Sequence, residues 1–92
     1  MKYLDWNIDK DVWLKKYRKI SFNEVALALI DGDLLDTIDN PSKNFPDQQV
    51  FVINVNNYVY YVPFVENEEK FFLKTIIPSR KANKKYLKNY KL

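Results

Sequence analysis

The chain has 92 residues, 15 Lys and Arg against 12 Asp and Glu, a formal net charge of +3, and neither Cys nor His. That length suits one domain spanning 1–92. The two missing residue types exclude disulfides, Cys/His zinc sites and any mechanism built on a histidine base or a cysteine nucleophile. No apolar run reaches membrane-spanning length, and Asp5 and Asp9 stand where a leader would need its apolar core. The sequence therefore predicts a soluble, cytoplasmic protein without a membrane partner.

The first predicted element is a helix over 7–19. Asn7 is placed to cap it, and Asp9 and Asp11 complement the helix dipole in the first turn. Trp13, Leu14 and Tyr17 share a face expected to pack in the core, with Lys15, Arg18 and Lys19 on the other side. A second helix follows at once. Ser21 and Glu24 form a capping box, Ile20 and Val25 occupy the positions of a hydrophobic staple, and "VALALI" (25–30) is apolar all round and expected to be buried. Gly32, the only glycine, stands where a helix end favours a left-handed residue.

From Leu34 the pattern turns to strands. "LLDTID" is a short candidate, and 40–47, with Pro41 and Pro46, is a loop. "QQVFVINV" and "YVYYVPFV" flank Asn56-Asn57, which tolerate the positive φ of a two-residue hairpin turn. Pro63 offers no ladder donor, so it implies an edge or a bulge. "KFFLKTII" is a third strong strand, ended by Pro78, after which Ser79 can cap a closing helix from Arg80 to Tyr90. The expected fold is α+β: two N-terminal helices, a three- to four-stranded antiparallel sheet and a C-terminal basic helix, with the helices on one face.

Charge is distributed unevenly along this order. Residues 1–73 hold 8 Lys and Arg and all 12 Asp and Glu, a net of about −4, whereas 7 basic residues and no acid follow from Lys74 onward. In the closing helix Ala82, Tyr86, Leu87 and Tyr90 make an apolar stripe for docking, opposite Lys81, Lys84, Lys85 and Lys88. Such a local positive field suits nucleic acid, an acidic protein surface or anionic lipid. It also suits a face that merely keeps a small protein in solution.

Three stretches together resemble the BrnT family of type II toxins. They are "LDWNIDKD", with Trp6 and Lys10; "KISFNEVALALIDGDLLD", with Ile20, Ser21, Phe22 and Glu24; and "TIIPSRKANKKY", with Ile76, Ile77, Arg80 and Ala82. The resemblance covers nearly the whole chain. It departs at Tyr17, Arg18 and Lys19, where the family often has Lys-His-Gly, at Thr75 in place of Arg, at Asn83 in place of Thr, and at Tyr86 in place of Glu. It implies a RelE-like fold, an endoribonuclease activity that inhibits translation, and a cognate antitoxin of the ribbon-helix-helix or a similar DNA-binding kind.

The residues present restrict how such an enzyme would work. RNA can be cut by its own 2′-hydroxyl if the protein moves protons and stabilises the charge gathering on phosphate. Without histidine, a site of Arg, Lys and Tyr is the remaining route. Arg80 offers a planar fork for two phosphate oxygens, and Tyr86 could donate a proton or stack on a base. Arg80, Arg18 and Tyr86 are the catalytic candidates; the alternatives are a bridge from Arg80 to a sheet-edge carboxylate, an ordinary exposed Arg18 and a core Tyr86. Lys15, Lys19, Lys81, Lys84, Lys85 and Lys88 are candidate phosphate contacts. Asp31, Asp33, Asp36 and Asp39 are better explained as solvating a turn and an edge strand than as a metal site, so no metal or cofactor is expected. The alternative function is a nucleic-acid-binding or antitoxin-binding protein without ribonuclease activity.

Overall fold

The structure, a computed structural model, describes residues 2–87. In chain order its elements are β1 (Tyr3–Trp6), α1 (Ile8–Tyr17), α2 (Phe22–Ile30), β2 (Leu34–Asp39), β3 (Gln49–Val55), β4 (Tyr58–Glu66), β5 (Lys70–Leu73), β6 (Ile77–Pro78) and α3 (Arg80–Leu87). Lys88 and Tyr90, predicted to continue the closing helix, lie outside the described residues.

The helix boundaries follow their local chemistry. The Asn7 side chain accepts from the Lys10 amide at 3.0 Å, and Ser21 and Glu24 exchange both bonds of the capping box. At the end of α2, Gly32 takes φ +85°. Its amide donates to Leu29 O and that of Asp33 to Ala28 O, which satisfies two orphan carbonyls in a Schellman arrangement. Lys19 performs the corresponding left-handed step after α1, at φ 57°.

Asn56 and Asn57, at φ 52° and 65°, make the two-residue turn between β3 and β4. The sheet order is β1-β5-β4-β3-β2, with β6 also paired to β4. It is therefore larger than the three or four strands expected, and it is mixed: all pairings are antiparallel except β1 with β5. The predicted third strand is split into β5 and β6. Between the pairs Phe64↔Leu73 and Tyr61↔Ile77 the β5–β6 side carries one residue more than β4. Pro63 lies opposite this irregularity. Its carbonyl accepts from the Lys74 amide at 2.8 Å, and a strand residue points its N and C=O to the same side, so the missing donor costs no regular ladder bond. Of edge and bulge, it is a bulge, carried by the β5–β6 side opposite Pro63.

Strand alternation divides the core in two. Phe51, Ile53 and Val55 of β3 and Val62 and Phe64 of β4 pack with Leu14, Ile20, Phe22, Val25 and Ala28, so α1 and α2 cover one face. Val52 and Val59 pack with Ala82 and Leu87, so α3 covers the other. The expectation of all helices on one face is corrected: a sheet apolar on both sides needs cover on both. Two burial expectations also fall. Trp13 and Tyr17 are 38% and 61% exposed, leaving Leu14 and the polar Asp11 as the buried residues of α1. In α2, Leu27 and Ile30 are 60% and 78% exposed, because a helix on a sheet surface buries only one stripe. No described helix is long and apolar enough to cross a membrane.

Candidate nucleic-acid interface

The closing helix is fastened at its start. Ser79 Oγ accepts from the Ala82 amide at 3.1 Å, the Ser79 amide donates to Val59 O, and Asn83 Oδ1 accepts from the Val59 amide at 3.1 Å. Ala82 and Leu87 are buried beneath it. Docking by this stripe leaves Arg80, Lys81, Lys84 and Lys85 exposed. Among the described residues the ion pairs are Lys2–Glu66, Lys15–Asp11 and Lys70–Asp5, and none involves α3. The Lys85 ammonium stands 5.2 Å from the centre of the Tyr86 ring.

Arg18 ends α1 and reaches the edge segment that leads into α3. Its Nη1 donates to Ile76 O at 2.6 Å, while its guanidinium lies 5.0 Å from the centre of the Trp13 ring. Arg18 and Arg80 thus both attach to the stretch of chain around β6. Tyr86 does not join them. Its hydroxyl donates to Asp36 Oδ2 at 2.8 Å, on β2 at the opposite margin of the sheet. From β6 to β2 is three strand spacings, about 14 Å. The bond to Asp36 holds the Tyr86 phenol above its usual pKa, with some help from burial. Tyr86 keeps its proton and ties α3 to β2.

The remaining candidates divide similarly. Lys15 Nζ is 3.0 Å from Asp11 Oδ2; the other carboxylate oxygen of Asp11 accepts from the Phe22 amide, fixing α1 to the start of α2. Lys19 is exposed. Lys88 lies outside the described residues. Asp31 and Asp33 flank the α2 end and Asp36 faces Tyr86, and among the described residues no three acidic side chains converge as a metal cage.

An aromatic and cationic surface on α1 was missed by the sequence reading. Trp13 and Tyr17 lie 5.4 Å apart, with Lys10 4.3 Å from the Trp13 ring centre and Lys16 5.3 Å from that of Tyr17. The signal was available, since Lys10, Trp13 and Tyr17 follow helical spacing, but an apolar reading of the same face concealed it. Single-stranded nucleic acid stacks on such platforms.

On the α3 side of the sheet, a cleft of about 450 Å³ opens between the 40–48 loop and the irregular edge. Val50, Tyr61 and Pro63 form its floor, Thr75 and Ile77 one wall, and Phe45 stands on the loop opposite.

Comparison with protein-family models, with curated proteins and with solved structures gave no significant match.

Proposed function

We propose that this protein is the toxin of a type II toxin–antitoxin pair, a BrnT-like endoribonuclease of RelE-like fold that cleaves RNA without a metal ion and is held in check by a DNA-binding antitoxin. The observation that carries this reading is the basic face of α3, unpaired among the described residues and raised on an apolar stripe directly after the edge segment that Arg18 grips. Two further features support it. A pair of helices follows the first strand of a largely antiparallel sheet, and a basic helix follows the last. Lys19 adopts φ 57° where the family carries glycine, the residue that backbone conformation favours.

In this mechanism Arg80 forks onto the phosphate under attack and offsets the charge that develops there. Lys81, Lys84 and Lys85 hold the neighbouring phosphates. Tyr17 of α1, the more exposed ring of the pair, stacks on an unpaired base. A second reading is favoured by the position of Tyr86, whose bond to Asp36 and distance from Arg18 remove it from a common centre. Under that reading the protein binds RNA or its antitoxin without cutting.

The test is induced expression in a bacterium with soluble protein verified, followed by in vitro cleavage. Growth arrest is expected, with turnover that persists in EDTA and leaves a 5′-hydroxyl. Arg80→Ala should cost on the order of 10²-fold in rate with the fold intact, the scale for one preorganised donor. Lys84→Ala should mainly reduce the salt dependence of binding, by about one counterion. Normal growth would overturn the toxin reading. RNA binding without turnover would select the second reading, and activity lost in EDTA and restored by Mg²⁺ would remove the metal-independent mechanism.

A further inference from the structure

The cleft beside β6 has features that a phosphate-binding helix does not need. Its loop wall is pinned, with the Asn40 amide donating to Gln48 O at 3.0 Å and the Gln48 amide to Phe45 O at 3.2 Å. Thr75 Oγ1, in the opposite wall, is buried and has no hydrogen-bond partner among the described residues. A buried hydroxyl left unpaired is costly, and a polar group that reached it from the cleft would relieve that cost. Gln48 Oε1 accepts from Asn40 Nδ2, which leaves the Gln48 Nε2 donors out of that bond. Tyr61, Phe45 and Pro63 supply rings to the rest of the lining. Of the described residues that line the cleft, Lys74 is the one charged side chain.

We propose that this cleft is a nucleobase pocket, which seats one unpaired base of an RNA strand and so sets the sequence preference of the site. The inference rests on the RNA reading above and adds to it the means of choosing a base. About 450 Å³ lies within the range of small-molecule sites and is ample for a base with its sugar. An apolar side chain of a partner protein would leave Thr75 Oγ1 unpaired and would gain nothing from Lys74. A base offers a π face to Tyr61 and Phe45 and in-plane donors and acceptors to Thr75 and Gln48, the usual division between stacking and edge reading in single-stranded RNA. Charge is complementary as well. Lys74 stands at the cleft, and from Ile77 in its wall the chain passes through the Ser79 cap to Arg80, so the phosphate of a seated nucleotide lies toward cations.

The experiment is titration of the full chain with each of the four ribonucleoside 5′-monophosphates, followed by backbone amide NMR. Saturable shifts are expected at Gln48, Val50 and Thr75, with affinities that differ severalfold among the bases. Phe45→Ala, on an exposed loop residue, should weaken this binding about tenfold, the order of one lost base–aromatic stack. Thr75→Val, which replaces the orphan hydroxyl by a methyl of the same size, should level the preference among bases while the fold is retained. Shifts confined to α1 and α3, or unchanged affinity in both variants, would overturn the pocket even if RNA is cleaved. Cleft shifts produced by phenylalaninamide and by none of the nucleotides would overturn it in favour of a peptide. Nucleotide binding in the cleft without RNA turnover would support the pocket and remove the ribonuclease.

Discussion

Arg18 is the residue whose substitution best separates architecture from chemistry. Its Nη1 donates to Ile76 O at 2.6 Å and its guanidinium covers Trp13 at 5.0 Å. A hydrogen bond from a charged donor contributes about 1.5–3 kcal/mol when buried, and the exposure of Arg18 brings that to about 1 kcal/mol. The stack on Trp13 adds about 0.5–1 kcal/mol at an exposed site. Arg18→Ala should then cost about 2 kcal/mol, and Arg18→Lys, which keeps the charge without the planar fork, about half of that. For a domain of this size 1 kcal/mol is about 4–8 °C in Tm, so urea and thermal unfolding resolve both variants. Hydrogen exchange should show the loss concentrated at 74–78, the segment the bond secures. An Arg18→Ala protein within about 0.5 kcal/mol of the parent would refute this role. If that same protein had lost RNA turnover, Arg18 would act on substrate and not on the strand.

Asp11→Ala should cost about 2–3 kcal/mol in chemical unfolding, because it strands the buried Phe22 amide that Asp11 Oδ1 receives at 2.8 Å. Asn57, at φ 65°, should accept glycine with no loss, whereas Asn57→Val should lose about 1–2 kcal/mol by the same measurement. Tyr86→Phe tests a pH dependence. The Asp36 bond raises the Tyr86 pKa above 10.0, so its contribution is complete below that value and is lost as pH rises through the folded pKa. The parent should be more stable than Tyr86→Phe at about pH 8 and lose that advantage as pH rises through the folded pKa; an advantage unchanged throughout the alkaline titration would refute the linkage.

The parts of the fold legible in the sequence are those fixed by neighbours in the chain. The Ser21–Glu24 box, the left-handed Gly32, the Asn56-Asn57 turn and the Ser79 cap each need only a few residues to act. What was not legible depends on distant partners. Four residues of β1 form a strand only because β5 offers a free edge, and no local pattern in "YLDW" announces it. The exposure of Trp13 follows from which residues α1 turns inward, Leu14 and Asp11, the latter receiving the Phe22 amide, and hydrophobic periodicity does not encode that choice. The site shares this division. Arg80 and the lysines of α3 were visible as uncompensated charge, while the cleft arises where a loop, a proline and a strand irregularity meet.

The parallel pairing of β1 with β5 also orders the folding reaction. The β3–β4 hairpin joins residues across a two-residue turn, and β2 pairs with β3 across the 40–48 loop. By contrast, Tyr3 meets Lys70 across most of the chain, and such a closure is unfavourable until the intervening elements have condensed. β1 is accordingly expected to join last and, on unfolding, to leave first, an order that hydrogen exchange at Tyr3–Trp6 would check. The Lys70–Asp5 and Lys2–Glu66 pairs then serve as latches on a late-closing edge, since each links β1 or its approach to a residue more than sixty positions later in the chain.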